Sequence, residues 1–241
     1  MHFKVNVGTR IVNNMNLFRI RLLFLVLSMT LWAAARAESP TVQAWFDALK
    51  KDDVWTLSSM QMQGVSTNLA DDDGNTALHG AIALGKLDTL KWLLNQPDIA
   101  INQRNNANET ALMFAAIRCD HAAAKALIER GAAINHTGWA PLHYAASCKA
   151  SNATDLVHLM LEHHAYIDAE SPNGSTPLML AAQYGRFETV RLLVEAGADV
   201  AIRNQRDLNA VDFAGLRDNP DVKQYLHGAL LDKKRLKKGT W

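Results

Sequence analysis

This 241-residue sequence predicts an all-α solenoid, a stack of helix–turn–helix units joined by β-turn or hairpin loops. Three observations carry that expectation. One unit is written several times: NTALHGAIALGKLDTLKWLL from Asn75, ETALMFAAIRCDHAAAKALI from Glu109, WAPLHYAASC from Trp139 and STPLMLAAQYGRFETVRLLVEAGADV from Ser175, with a decayed copy, NAVDFAGLRDNPDVKQYL, from Asn209. Its anchor falls at Thr76, Thr110, Ala140, Thr176 and Asn209, at intervals of 34, 30, 36 and 33 residues, and a period of about 33 marks a stacked repeat. The composition, 49% apolar and 20% charged, suits packed units; two cysteines exclude a disulfide-dense scaffold, and 13 glycines with 6 prolines exclude a collagen-like chain.

Residues 1–37 read as a secretory signal peptide. Basic Arg19 and Arg21 precede an apolar run, Leu22 to Leu31, and Trp32 with three alanines extends it. Ala35-Arg36-Ala37 then places small residues at −3 and −1 before polar Glu38, so cleavage is expected after Ala37. An uncleaved anchor is the alternative, but a spanning helix wants about 20 apolar residues and this run is shorter. No cysteine stands at or before the cleavage site, which excludes a lipid anchor there. Met15 is a second candidate start. The leader holds five basic residues (Lys4, Arg10, Arg19, Arg21, Arg36) and no acid, so a whole-chain charge of +1 leaves the remainder at −4. Nucleic acid is therefore not an expected partner of the body, because phosphate binding needs a basic face.

Each recurring letter has a mechanical reading. Thr at the anchor caps the first helix by accepting from an early backbone N–H. Pro141 and Pro177 occupy the first helical position, where a missing N–H costs nothing. Leu78, Leu112, Leu142 and Leu178 point into the stack, and the alanine pairs let successive inner helices approach closely. Gly85 and Gly185 turn the chain between helices, where a left-handed residue is convenient. Second helices run apolar at helical spacing through Leu90-Leu93-Leu94, Ala126-Leu127, Leu159-Leu161 and Val190-Leu192-Leu193. Thr176-Pro177-Leu178 with Ala181-Ala182, Gly185, Leu192-Leu193 and Gly197-Ala198 closely resembles the ankyrin repeat, and the resemblance covers about Val42 to Leu226. It implies a capping helix pair over 38–70, four repeats over 71–204 and a C-terminal capping repeat over 205–231, followed by a solvated basic tail, 232–241. Trp45, Phe46, Leu49 and Val54 are expected to face inward from the first cap.

The departures from the pattern bear on function. From Asn135 to Ala140 is five positions where Asn102 to Thr110 is eight, so the loop before the third repeat is three residues short. The third repeat recovers them in its inter-helix turn, around Cys148 to Asn152, and Trp139 stands at the base of the shortened loop. Cys119 and Cys148 lie nine and eight residues after their anchors, in nearly equivalent turns of adjacent repeats. An exported chain with an even cysteine count favours a disulfide. Against it, repeats in this family stack about 10 Å apart, and a bridge needs Cα atoms within about 7 Å. A bridge drawn in by the insertion and two buried thiols both remain open.

No catalytic constellation is present: no G-x-S-x-G, P-loop, H-E-x-x-H or C-x-x-C. The chain is read as no enzyme, with no cofactor. His79 and His143 belong to the family's T-P-L-H motif, where the resemblance implies a local hydrogen bond. His158, His163 and His164 lack the i, i+4 spacing of a zinc pair, so no metal site is assigned. Asp71-Asp72-Asp73-Gly74 shares with a calcium loop only its first acids, and reads as a finger tip.

What remains is a binding surface. The resemblance implies a concave face of loop fingers and inner helices that binds protein. The residues it places there are Asp72, Asp73 and Asn75; Glu109, Phe114 and Arg118; Trp139 and Tyr144; and Asn173, Gln183 and Tyr184. Trp, Tyr and Arg are the types that dominate interface energetics. The expected function is non-catalytic protein binding by a monomer in a bacterial periplasm, with no membrane contact after cleavage, such as neutralising or protecting an exported protein. A periplasmic carrier of a small ligand or metal is the alternative. The protein recovered from its host's envelope is predicted to begin at Glu38; N-terminal sequencing that finds Leu22–Leu31 intact would sink the signal-peptide reading.

Overall fold

The computed structural model describes residues 40–239, with side chains over 41–233. The expected leader, 1–37, and its cleavage site lie outside these residues, as do the side chains of Lys234, Arg235, Lys237 and Lys238. Two compact units divide between Ala44 and Trp45. Of the first, the described part is the opening of helix α1 (Pro40–Lys50); all packing below belongs to the second.

The second unit is built of helix pairs. After α1 come α2 (Val54–Met62), then α3 (Ala77–Leu84) with α4 (Leu87–Leu94), α5 (Ala111–Ile117) with α6 (His121–Glu129), and α7 (Pro141–Ala146) with α8 (Ala153–Glu162). The series ends with α9 (Pro177–Tyr184) and α10 (Phe187–Glu195), then α11 (Ala210–Gly215) and α12 (Pro220–Gly239). Inner helices α3, α5, α7, α9 and α11 pack in chain order, each on the next, and the outer helices follow behind them. Strand pairing among the described residues is confined to the isolated bridges Ala70–Thr76 and Arg104–Thr110 at finger bases.

The core follows the repeat. Leu78, Leu112, Leu142 and Leu178 are buried, as are Ala81, Ala115-Ala116, Ala145-Ala146 and Ala181-Ala182. At about 25 cal/mol per Å² of apolar surface, each such leucine contributes about 1.5–3 kcal/mol. Trp45, Phe46 and Leu49 of the first cap are buried, whereas Val54 is only half-buried and Leu57 takes the inward place. Gly80 makes room for that cap, since a Cβ there would sit 2.8 Å from Leu49 Cδ2.

Thr110 and Thr176 cap their helices by accepting from Met113 N–H and Met179 N–H, both at 3.4 Å. Gly85 is left-handed at φ +66°, but Gly185 is not: its φ is −79°. Glycine is needed at 185 because a Cβ would run into the carbonyl of Ala146 in the preceding repeat. His164 replaces the helix-ending glycine and carries the left-handed conformation itself, at φ +65°.

Outer loops are joined by a ladder of side chains. Asn68 Nδ2 donates to Asp98 O and its Oδ1 accepts from Ala100 N–H, both at 2.8 Å. Asn102 does the same with Gly131 O and Ala133 N–H (3.3 and 2.7 Å), and Asn135 with His164 O and Tyr166 N–H (both 2.8 Å). Asp168 closes the series by accepting from Asp199 N–H at 2.9 Å. Beyond it, the segment expected as a solvated tail continues α12 without a break to Gly239, and Lys233 pairs with Asp199.

Cys119 and Cys148 are joined in a disulfide with Cα atoms 5.9 Å apart. The family's wider repeat spacing does not apply at this edge, because the insertion after Cys148 turns the chain back. Asn152 Nδ2 donates to Cys119 O at 3.2 Å, and Cys119 takes a left-handed φ of +56°. Closing a loop of 29 residues lowers the entropy of the unfolded chain by an amount worth about 3–4 kcal/mol. Cys148→Ser is expected to destabilise by about 3 kcal/mol in denaturant unfolding, and reductant should lower wild-type stability but not the variant's; wild type indifferent to reductant would mean the thiols are unpaired.

Candidate partner-binding face

The fingers are short loops held by polar side chains of their own. Asp71 Oδ1 accepts from the N–H groups of Asp73 and Asn75 (3.0 and 2.8 Å), and Asn105 Oδ1 from those of Ala107 and Glu109 (3.0 and 2.9 Å). Ser171 Oγ accepts from Ser175 N–H at 3.0 Å, and Asn204 Oδ1 from Arg206 and Leu208 N–H at 3.0 and 3.1 Å. Such turns satisfy backbone donors that no helix serves.

Fingers also lock to their neighbours. Asn106 N–H and Nδ2 donate to Asp73 O and Asp72 O, both at 2.9 Å, and Asn105 Nδ2 donates to Asn75 Oδ1 at 2.9 Å. Gln205 N–H and Nε2 donate to Asn173 O and Pro172 O, both at 3.0 Å, and Asn204 Nδ2 donates to Ser175 Oγ at 3.1 Å. Between these two locked pairs lies the shortened loop. Among the described residues, Thr137–Trp139 make no backbone hydrogen bond to either neighbouring finger.

Trp139 fills the base of that gap and is 38% exposed. Its ring lies 5.9 Å from Tyr144 at an interplanar angle of 34°, and meets buried His143 edge-on at 5.4 Å. Tyr144 Oη reaches back to donate to Glu109 Oε1 at 3.4 Å. Burial, with the Glu109 carboxylate second, pushes the Tyr144 hydroxyl up to about 12, so it remains a donor at neutral pH. Half-buried Phe114, in Tyr144's position one repeat earlier, meets His79 of the preceding repeat edge-on at 5.3 Å. Glu109, Phe114, Trp139 and Tyr144 are thus expected face residues from two adjacent repeats, three of them in direct contact.

The other expected residues are distributed along the face. Asp72, Asp73 and Asn173 are exposed at finger tips, while Asn75 is half-buried and tied to Asn105 and Asp71. Arg118 is exposed and reaches along the stack to the preceding repeat: its Nη1 donates to Ala83 O at 2.7 Å, serving the end of α3. Gln183 and Tyr184 are half-buried, and Tyr184 lies under the Arg217 guanidinium, 5.0 Å from the ring centre. Arg217 and Asn105 escaped the sequence reading, although Asn105 recurs in register with Asp71, Ser171 and Asn204.

His79 and His143 are placed alike. Nδ1 of each accepts a backbone N–H, from Thr76 and Ala140 respectively (both 3.1 Å), which leaves the proton on Nε2. Nε2–H then donates to a carbonyl of the next repeat, Glu109 O at 3.2 Å and Ser175 O at 3.1 Å. Burial holds both rings below the ordinary histidine range. His158 and His163 line an outer-face groove of about 390 Å³ with His121, Asp155 and Glu162, and His158 pairs with Glu162 at 3.3 Å. Among the described residues no group of three or more His, Cys, Asp or Glu side chains converges as a metal site, and no helix is long and apolar enough to cross a membrane.

Comparison with known proteins gives a consistent result. A family model described as ankyrin repeats (3 copies) matches residues 98–170 and 133–204, and the single ankyrin repeat matches 73–106. The B-cell lymphoma 3 protein homolog of Mus musculus is 32% identical over 148 residues, which are 58% of this chain and 32% of that protein. The chain spans about a third or less of the length of the first curated relatives it matches. Among solved structures, the human ASB11 ankyrin repeat domain superposes with a TM-score of 0.67 at 26% identity, over 80% of this chain and 84% of that one. The complex of the predatory endopeptidase Bd0816 from Bdellovibrio bacteriovorus with immunity protein Bd3460 gives a TM-score of 0.66 at 26% identity, over 77% of this chain and 97% of the matched chain.

The buried histidines make stability depend on pH. Their folded pKa values are depressed, so the unfolded chain binds the extra protons. Their contribution is complete above about pH 6.5 and is lost as pH falls toward the folded values, by at most about 1.4 kcal/mol per pH unit for each histidine. Denaturant midpoints measured from pH 7.5 to 5 should fall more steeply for wild type than for His79→Gln/His143→Gln; parallel slopes would contradict the burial account.

Proposed function

The chain belongs to the ankyrin-repeat family, and from that premise we propose that it is a non-catalytic protein-binding module of the bacterial envelope that neutralises an exported enzyme. Ankyrin repeats mediate protein–protein interaction. The observation that carries the finer reading is the likeness to the endopeptidase–immunity protein complex, which extends over 97% of the matched chain. The predicted signal peptide supports the compartment.

The face offers what a standard interface requires. Such interfaces cover about 800 Å² on each partner, and their energy is concentrated in a few Trp, Tyr and Arg anchors ringed by polar contacts. Trp139 and Tyr144 supply adjacent anchors, and the polar tips at Asp72, Asp73 and Asn173 flank them. The partner is held by shape and charge, and no residue of this chain takes part in bond making.

Crosslinking in the envelope of its own host, followed by mass spectrometry, tests the reading. One abundant exported enzyme should be captured by wild type and reduced at least about tenfold by Trp139→Ala/Tyr144→Ala, the loss expected for two interface anchors. Its activity should fall when the purified protein is added. Absence of a partner, or a partner whose activity is unaffected, would refute neutralisation.

A further inference from the structure

The gap left by the shortened third finger has a chemistry of its own. We propose that it is a socket for one cationic side chain, best an arginine, presented on a loop of the partner; this rests on the reading of the face as a protein-binding surface. Two walls are aromatic. Trp139 and Tyr144 lie 5.9 Å apart at 34°, and a guanidinium packs on such rings through attraction to their π faces.

The third wall is the Glu109 carboxylate, half-buried at the base of its finger. Its backbone is pinned on both sides: the N–H donates to Asn105 Oδ1 at 2.9 Å and the carbonyl accepts from His79 Nε2–H at 3.2 Å. The side chain is held in place by two long bonds, from Tyr144 Oη and Asn105 Nδ2, each 3.4 Å. A carboxylate can accept about four hydrogen bonds, so about half of its capacity is left unused by these two.

Among the described residues Glu109 makes no ion pair. The three arginines of its own repeat are committed elsewhere, Arg130 by donating to Gln96 O at 2.9 Å. Arg104 donates to Asn108 Oδ1 at 2.7 Å and His136 Nδ1 at 2.8 Å, and Arg118 donates to Ala83 O. The exposed carboxylates of Asp72 and Asp73 stand on the adjoining finger and deepen the negative potential. An apolar side chain would desolvate Glu109 without pairing it, and an anionic one would be repelled. The chain already forms the analogous contact within itself, where Arg217 covers Tyr184 at 5.0 Å.

The probe is the blocked peptide Gly-Gly-Arg-Gly-Gly, beside its citrulline, lysine and glutamate counterparts, titrated into the purified exported protein. The readout is the indole N–H resonance of Trp139, assigned by its loss in Trp139→Phe. A saturable shift is expected with arginine, weaker by about tenfold with neutral citrulline and with the Glu109→Gln variant, and smaller at high salt. Lysine should bind less tightly than arginine, and glutamate should not bind. Equal response to arginine and citrulline, or no saturable shift with arginine, would overturn the socket. Unchanged thermal unfolding of Glu109→Gln separates lost binding from lost fold. If an enzyme is captured through Trp139 and Tyr144 while the arginine peptide gives no shift, the socket falls and the binding face stands. If the peptide binds and no enzyme is captured, the socket stands and neutralisation falls.

Discussion

The repeats of this chain leave loop backbone groups that they cannot satisfy alone, and the preceding repeat supplies the missing partners. The ladder Asn68, Asn102, Asn135 and Asp168 is the plainest case. Each asparagine gives one donor and one acceptor to the loop beyond it, so no outer turn is complete until its neighbour has docked. His79 and His143 do the same at the finger bases, closing their own helix start with one ring nitrogen and the following repeat with the other. Buried leucines and alanines bring the units together, and these directional bonds set their register; at the buried histidines, a group left unpaired would cost about 1–3 kcal/mol. Stability in such an array is a sum over neighbours.

Against that background the third repeat is an exception at one edge and an addition at the other. Its finger is three residues short, and among the described residues the backbone bonds that join the other fingers are missing on both sides of it, which leaves the side-chain links from Arg104 to His136 and from His143 to Ser175 O. The three residues return in the turn after Cys148, where the disulfide to Cys119 and the bond from Asn152 tie the second and third repeats together. Lost hydrogen bonds at the finger edge are thus offset by a covalent tie at the turn edge of the same junction. The outer ladder is untouched: Asn135 still reaches His164 and Tyr166. That continuity explains how a finger can be removed without a slip in the stack.

The helix pairs, the buried leucines and alanines and the inward Trp45, Phe46 and Leu49 were legible because burial repeats with the helix and with the unit. Destinations of long polar side chains were not. Arg118 has the type and position of a partner contact, yet its guanidinium finds the free carbonyl end of α3, a choice made by the neighbouring repeat. Tyr184 is covered by Arg217, which lies in a decayed copy whose register is the hardest to read. Gly185 suggested a left-handed turn, whereas its need is steric and comes from Ala146 one repeat away. Asn68, Asn102 and Asn135 recur 34 and 33 residues apart, but asparagine is common in loops for local reasons, and that masks its role between repeats.

The same contrast supports the proposal that the gap is a recognition element and not merely a defect. A missing finger in a stack held only by side-chain packing would let the flanking repeats relax inward and close it. Here the flanking fingers are fixed in pairs by Asn105 and Asn106 on one side and Asn204 and Gln205 on the other, and the disulfide restrains the junction itself. Trp139 and Tyr144 therefore stay presented beside a pinned Glu109 before any partner arrives. Groups already held in place lose little freedom on binding, and affinity follows from that as much as from the contacts made.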